Sequence, residues 1–364
     1  MNPSKKEPRV PASPLDRDDL RTRVSAALRA QLHRQRGTLA LVGPELGPVA
    51  DALADFLDGG KRLRPAFAYW GYRAAGAVGS EAVVRAVAAL EFVQACALIH
   101  DDVMDGSDTR RGKPAVHKRF AALHGTEGYH GDADKFGTAA AILLGDVCLI
   151  WGDEMLDRSG MPDDALKRAR PVWDEMRTEI MAGQYLDVLA QAQGDHSVDR
   201  ALRVVRYKSA KYTVERPLHL GAALAGAGPD LTDALSRFGL PVGEAFQLRD
   251  DVLGVFGDPT ETGKPAGDDL REGKRTLLLA YAAEQATPAQ HALIERHLGD
   301  PGLGPDGVEA LRGVLVETGA LARTEERISA LTARATTALK NAAIDAEAAD
   351  ALGELAAAAT ARKA

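Results

Sequence analysis

The stretch EAVVRAVAALEFVQACALIHDDVMD, residues 81–105, is apolar on nearly every face until it ends in three aspartates. A segment this apolar all round reads as a buried core helix rather than a half-buried strand. On that helix Asp101 and Asp105 stand one turn apart on one face. They lie at the C-terminal end, where the helix dipole disfavours negative charge by about 0.3–1 kcal/mol. Stacked acids at that end call for a cation. Magnesium, a hard ion that takes one or two carboxylates together with substrate phosphates, is the natural candidate. A second acidic helix end, Asp250-Asp251-Val252-Leu253-Gly254, begins 149 residues later, after the amphipathic run LSRFGLPVGEAFQLR. Two such ends facing each other across a cavity could hold several magnesium ions and, through them, a diphosphate.

A lone acidic cluster is more often a solvated helix end, so the basic motifs beside these two carry the argument. Lys61 and Arg64 in GKRLRP fall three apart at a helix start, where first-turn amides also favour an anion. Arg110 and Arg111 follow the first cluster directly. Adjacent arginines diverge, which suits two different phosphoryl groups, and the planar guanidinium fits phosphate oxygens. Lys264 and Lys274 sit in Gly-rich sequence after the second cluster, where mobile lysines can close over a diphosphate. Lys208-Ser209 and the pair Gln184 and Asp187 read equally well as ordinary polar positions on helices.

A chain of 364 residues with net charge −7 and pI near 5.8 argues against a nucleic-acid surface. Its local basic clusters suit a small polyanion. Cys96 and Cys148 lie in apolar runs, as buried free thiols of a reducing compartment do. No run reaches 18 consecutive apolar residues and the N-terminus has no apolar signal region, so a cytoplasmic protein without a transmembrane segment is expected. Residues 1–17, rich in Pro and charge, are expected to form a disordered leader. Residues 18–364 read as one all-α domain, with helices near 18–57, 62–77, 80–105, 113–124, 136–159, 162–194, 197–226, 230–256, 274–298, 305–318 and 320–362. No strand alternation is evident, and the Ala-rich helix 347–361 is expected to pack peripherally.

GKRLRP, QxxxLIHDDVMDGSDTRRGKP, GQYLD, KSAK, FQLRDDVLG and GKPAGDDLREGK occur in this order along the chain. Together they resemble the trans-isoprenyl (polyprenyl) diphosphate synthases, over almost everything after the leader. The phrase QLRDDVLGVFGDPTETGKPAGDDLREGKRT is most similar to bacterial, actinobacterial-style geranylgeranyl diphosphate synthases.

The resemblance implies the isoprenoid synthase fold, antiparallel helices around a large central cavity, in a homodimer. It implies head-to-tail (1'-4) condensation of isopentenyl diphosphate with dimethylallyl, geranyl or farnesyl diphosphate through an allylic carbocation, with three magnesium ions per site. Asp101 and Asp105, with Asp102 alongside, and Asp250, with Asp251, would hold the metals. Lys61, Arg64, Gln94 and Arg111 would bind isopentenyl diphosphate. Arg110, Lys208, Ser209, Gln247, Lys264 and Lys274 would bind the allylic diphosphate. Diphosphate itself would accept the proton, leaving His100 a structural part. The sequence departs from the family pattern at Gly254, where an aspartate would complete a second DDxxD, and at Ser209, where threonine is commoner.

Chain length would be set below the first cluster. Cys96 and Ala97, with Val93 deeper, offer small side chains where short-chain members carry aromatics. A product longer than C15, with C20 the expectation, follows; a farnesyl or a longer-chain polyprenyl synthase is the alternative. A class I terpene cyclase needs an Asn-Ser-Glu-type metal triad, for which the chain offers only Asn2 and Asn341. A non-catalytic partner subunit predicts eroded acidic clusters, and both are present.

Overall fold

The computed structural model describes residues 16–258 and 267–360. The expected leader falls almost wholly outside these residues. Arg17, at its end, is already paired with Glu354 at 2.5 Å.

The stretch quoted above forms α4, Glu81–Asp105, started by the Ser80 hydroxyl accepting from the Val83 amide and stopped by Gly106 at φ +67°. Glycine fits there because left-handed backbone is needed immediately after Asp105. Val83, Val87, Leu90, Phe92, Val93 and Cys96 are each fully buried. By length and a mean hydropathy of 1.9 this helix could cross a membrane, but 72% of that window is buried inside the protein. It is the central core helix.

Around it stand α1 (Leu20–Val42), α2 (Gly47–Leu57), α3 (Leu63–Ala74), α5 (Val116–Thr126), α6 (Ala133–Asp157) and α7 (Asp163–Gln193). Then come α8 (Val198–Val204), a π-helical stretch (Val205–Glu215), α9 (Arg216–Ala225) and α10 (Pro229–Phe256). The remaining helices are Asp268–Arg271, Leu277–Gln285, Pro288–His297, Pro305–Glu317, Ala320–Lys340 and Ala346–Thr360. Two apolar clusters meet at α10, which gives Phe238, Val242 and Phe246 to one and Leu248, Val252 and Val255 to the other.

The all-α expectation holds, with differences of detail. Helix 18–57 breaks at Gly43-Pro44, because Pro44 cannot continue the preceding helix. Helix 274–298 breaks before Pro288 for the same reason, and 320–362 breaks between Lys340 and Ala346. A two-residue antiparallel ladder, Thr109–Arg110 with Lys113–Pro114, was not anticipated. The Ala-rich C-terminal helix is not peripheral. Ala348, Ala351, Leu352 and Leu355 are fully buried in the main core, and the helix packs on α3. Small side chains bring it close enough to bury its face.

Candidate active site

A cavity of about 890 Å³ opens among α4, α7, the π stretch, α10 and the GKRLR turn. That lies at the upper end of the roughly 300–1,000 Å³ of small-molecule sites, as two substrates would need. Both acidic helix ends reach it.

Asp101 Oδ1 accepts from Gln184 Nε2 at 2.9 Å and from Lys208 Nζ at 3.2 Å, and Lys208 also holds Asp187 at 2.6 Å. Burial would raise the Asp101 pKa, but Lys208, Lys274 and Arg110 hold it down to about 2. Asp105 behaves oppositely: burial and the Asp101 charge push it up to about 6. Its Oδ2 is buried without a hydrogen-bond partner, 3.4 Å from Lys274 Nζ. Asp102 does not line the cavity. It is fully buried and receives Arg110 Nε at 2.9 Å, with a second contact from the same guanidinium. Asp102 therefore anchors Arg110 behind the wall, one residue round the helix from Asp101.

On α10, Asp250 and Asp251 line the cavity, and Gln247 Nε2 donates to Asp251 Oδ1 at 2.8 Å. Burial pushes Asp251 up to about 7, with Asp269 and Asp250 adding to the shift. Where the sequence has Gly254 in place of a third aspartate, a Cβ would stand only 1.9 Å from Asp269 Oδ2. The carboxylate absent at 254 is supplied to that space by Asp269.

Lys274 links the two clusters. Its Nζ lies 3.4 Å from Asp105, 3.5 Å from Asp269 and 2.5 Å from Glu272. Burial opposes its charge, yet these carboxylates push its pKa well up. Ser107, just after the first cluster, donates to Glu272 at 2.8 Å and ties the two loops together. Among the described residues no three His, Cys, Asp or Glu side chains form a ready-made metal cage. The donors are all hard carboxylate oxygens, one or two per position, with lysine ammoniums set between them. That set fits magnesium, which completes its shell with water and phosphate.

A separate basic pocket occupies another wall. Lys61, Arg64, Gln94 and Arg111 all line the cavity. Arg64 donates to Thr213 Oγ1 at 2.8 Å and lies 4.4 Å above the Tyr212 ring, while Tyr212 Oη donates to Gln94 Oε1 at 3.0 Å. The hairpin separates the two arginines as expected. Arg110 turns to the Asp101–Asp102 side, and Arg111, at φ +54°, lies 6.0 Å from the Phe56 ring.

Lys208 and Ser209 line the cavity from the π stretch. A π-helical insertion shifts side-chain directions within a helix and is common at functional sites. Gly183 on α7 makes room for this stretch, since a Cβ there would be 2.3 Å from the Lys208 amide nitrogen.

Below Asp101 the wall is Ala97 and Leu98 on α4, with Ile180 and Met181 on α7. Cys96 and Val93 do not join it, contrary to expectation; both are fully buried in helix packing. Cys96 lies five residues before Asp101, about 140° round the helix. Its thiol, pushed up to about 12 by burial, faces His100 Nδ1 at 3.6 Å. His100 is held at its other nitrogen by the Ile142 carbonyl, 3.0 Å away, in keeping with a structural part. Lys264 lies outside the described residues.

Gln184 and Asp187, which the sequence left evenly balanced between a site role and an ordinary polar position, both line the cavity; Tyr212, Thr213, Asp269 and Glu272 were not anticipated. Helical spacing could have found Tyr212, which follows Lys208 by four. Asp269 and Glu272, on and just after the short helix Asp268–Arg271, reach the site only through the tertiary fold, which spacing does not encode.

The sequence matches the polyprenyl synthetase family over residues 48–312. It is similar to the geranylfarnesyl diphosphate synthase of Aeropyrum pernix, 36% identical over 79% of this chain and 86% of that one. It is also similar to the octaprenyl diphosphate synthase of Escherichia coli, at 33% over 74% and 76%. In structure it is similar to a geranylgeranyl pyrophosphate synthase from Corynebacterium glutamicum solved with isoprenyl diphosphate and magnesium. The two superpose with a TM-score of 0.92 at 43% identity, over 95% of this chain and 99% of the other.

Proposed function

The chain belongs to the polyprenyl synthetase family and is a short-chain trans-prenyltransferase; on that premise we propose that it makes geranylgeranyl diphosphate (C20). Isopentenyl diphosphate would add to dimethylallyl, geranyl and farnesyl diphosphates in turn. The three relatives above carry names of three different chain lengths, so length must be argued from the cavity. The observation that carries C20 is the α4 wall, where small Ala97 stands one turn beneath Asp101 and no phenylalanine or tyrosine of α4 lines the cavity.

Asp101, Asp105 and Asp250, with Asp251 and Asp269 adjoining, would hold magnesium, in our reading three ions. Bound there, magnesium supplies positive charge to the departing diphosphate. Arg110, Lys208, Ser209, Gln247 and Lys274 grip the allylic diphosphate; Lys264 is assigned the same role from the resemblance alone. Their fixed charges stabilise the negative charge that develops as the allylic C–O bond breaks. Lys61, Arg64, Gln94 and Arg111 orient isopentenyl diphosphate so that its double bond faces the cation. The released diphosphate takes the proton, and the packed cations Lys208 and Lys274 help exclude water that would quench the cation to an alcohol.

We assign the protein to the cytoplasm as a homodimer. Leu143 and Ile150 on α6, seven residues apart on one face, are 62% and 63% exposed, a pair of apolar residues that a second subunit would cover. Sedimentation of Leu143→Glu/Ile150→Glu as anything but a monomer would count against that face.

The test of chain length is the product from farnesyl and isopentenyl diphosphates. The wild type gives C20, and Ala97→Phe shifts the distribution from geranyl diphosphate to C15. An unchanged distribution in the variant overturns the assignment of the floor.

A further inference from the structure

The basic pocket rests on a residue that borders the cavity but whose guanidinium is held by the protein itself. In Gly60-Lys61-Arg62-Leu63-Arg64, Arg62 adopts φ +55° and ψ 35° at the start of α3. Side chains other than glycine, asparagine and aspartate seldom accept this left-handed conformation, and where they do the surroundings must hold them. Here the holding groups are plain. Arg62 is 5% exposed; one terminal nitrogen pairs with Glu91 of α4 at 2.5 Å, and the other donates to the Leu57 carbonyl at the end of α2 at 2.5 Å. One guanidinium thus ties α2 and the middle of α4 to the turn that starts α3.

Glu91, 7% exposed, stands on the cavity wall one turn before Gln94. It lies among cations: Arg111 feels Glu91 as an attractive charge and Arg62 and Arg64 as repulsive ones. A diphosphate pocket built from Lys61, Arg64 and Arg111 alone would push itself apart before the ligand arrives. The Arg62–Glu91 pair gives that cluster a buried counter-charge whose own positive partner is turned inward. It also fixes the backbone so that Lys61 and Arg64, on either side of the left-handed residue, reach the same cavity.

We propose that Arg62, through Glu91, is the positioning residue of the isopentenyl diphosphate subsite. The inference rests on reading Lys61, Arg64, Gln94 and Arg111 as that subsite. Arg62 borders the cavity, but both its terminal nitrogens are engaged by Glu91 and the Leu57 carbonyl; its role is to set the geometry of the groups that bind.

The test measures KM for isopentenyl diphosphate, KM for the allylic diphosphate and kcat separately. Arg62→Met removes the tether and leaves a strained backbone, and it raises the isopentenyl KM at least tenfold with the allylic KM within twofold. Arg62→Gly removes the same tether but accepts positive φ freely, so it recovers part of that loss; a purely structural deletion would make glycine the worse variant. Removing one partner of a buried pair leaves an uncompensated charge, so Arg62→Met/Glu91→Leu serves if the single variant does not fold, with the same isopentenyl-selective loss expected. A wild-type isopentenyl KM in the folded variants, or equal losses for both substrates, overturns the proposal. Lys61→Ala separates this from failure of the subsite reading. If Lys61→Ala raises the isopentenyl KM while the Arg62 variants do not, only the positioning role fails. If Lys61→Ala raises the allylic KM instead, the subsite itself has been misassigned.

Discussion

A Cβ built on Gly254 would lie 1.9 Å from Asp269 Oδ2, too close for both side chains to stay where they are. Gly254→Asp would therefore not restore a lost ligand. It would displace Asp269 and, through it, Lys274, whose ammonium is 3.5 Å away. Misplacing a site group by about 1 Å can cost about 100-fold in rate, so kcat for condensation should fall by tenfold or more in this variant. A kcat at or above that of the wild type would show the aspartate at 254 to be simply missing. The sequence made both acidic clusters legible, because dipole and spacing arguments act along one helix. It could not reveal Asp269, which is fifteen residues from Gly254 in sequence and a neighbour only in the tertiary fold. Cys96 misled for a related reason: closeness in number to Asp101 does not place it on the same helical face.

At the scale of the element, the π stretch Val205–Glu215 was not legible at all. RVVRYKSAKYTVERPL reads as continuous helix, and the departure is registered in contacts from outside it. Gly183 of α7 meets the Lys208 amide, and Gly243 of α10 would place a Cβ 2.5 Å from the Ala210 carbonyl oxygen. The stretch is held between two helices that can approach only where side chains are absent. Gly183→Ala must push Lys208 off Asp101 and Asp187 or separate the helices. Overpacking of this kind costs about 1–3 kcal/mol. The expected result is a lower Tm together with an allylic KM raised more than the isopentenyl KM. An alanine variant with unchanged Tm and both constants unchanged would mean that the close approach is relieved without moving Lys208. Helices 18–57 and 274–298 were expected to run on, although proline alone could have placed the breaks at Gly43-Pro44 and Thr287-Pro288. The two-residue hairpin after α4 was too short to leave a pattern, although Arg111-Gly112, both at positive φ, makes the tight turn that splits the two arginines.

For the molecule as a whole, the site stores unfavourable charge. Asp105 is raised to about 6 and Asp251 to about 7 from an ordinary 3.8. Between pH ~4 and ~7 the folded protein therefore binds more protons than the unfolded chain, and these two acids make stability fall as pH rises through that window. Asp101, lowered to about 2, contributes in the other sense: its stabilisation is present above pH ~4 and is lost only as pH falls through about 2. Thermal unfolding in EDTA from pH 5 to pH 8 should show the wild type losing stability more steeply than Asp251→Asn, which cannot ionise. Identical slopes would remove Asp251 as a stored charge. Magnesium with inorganic diphosphate favours the ionised acids and should flatten the wild-type slope.

At the centre stands the reading that two acidic helix ends, the cations set among them and one basic pocket, all around one cavity, condense diphosphates into a C20 chain. Its most direct test gives the purified protein isopentenyl diphosphate and dimethylallyl, geranyl or farnesyl diphosphate, with magnesium or with EDTA, and identifies the products by mass spectrometry. The prediction is geranylgeranyl diphosphate as the main end product from every primer, abolished by EDTA and by Asp101→Asn. Absence of condensation with every primer, or condensation undiminished in EDTA, would contradict it.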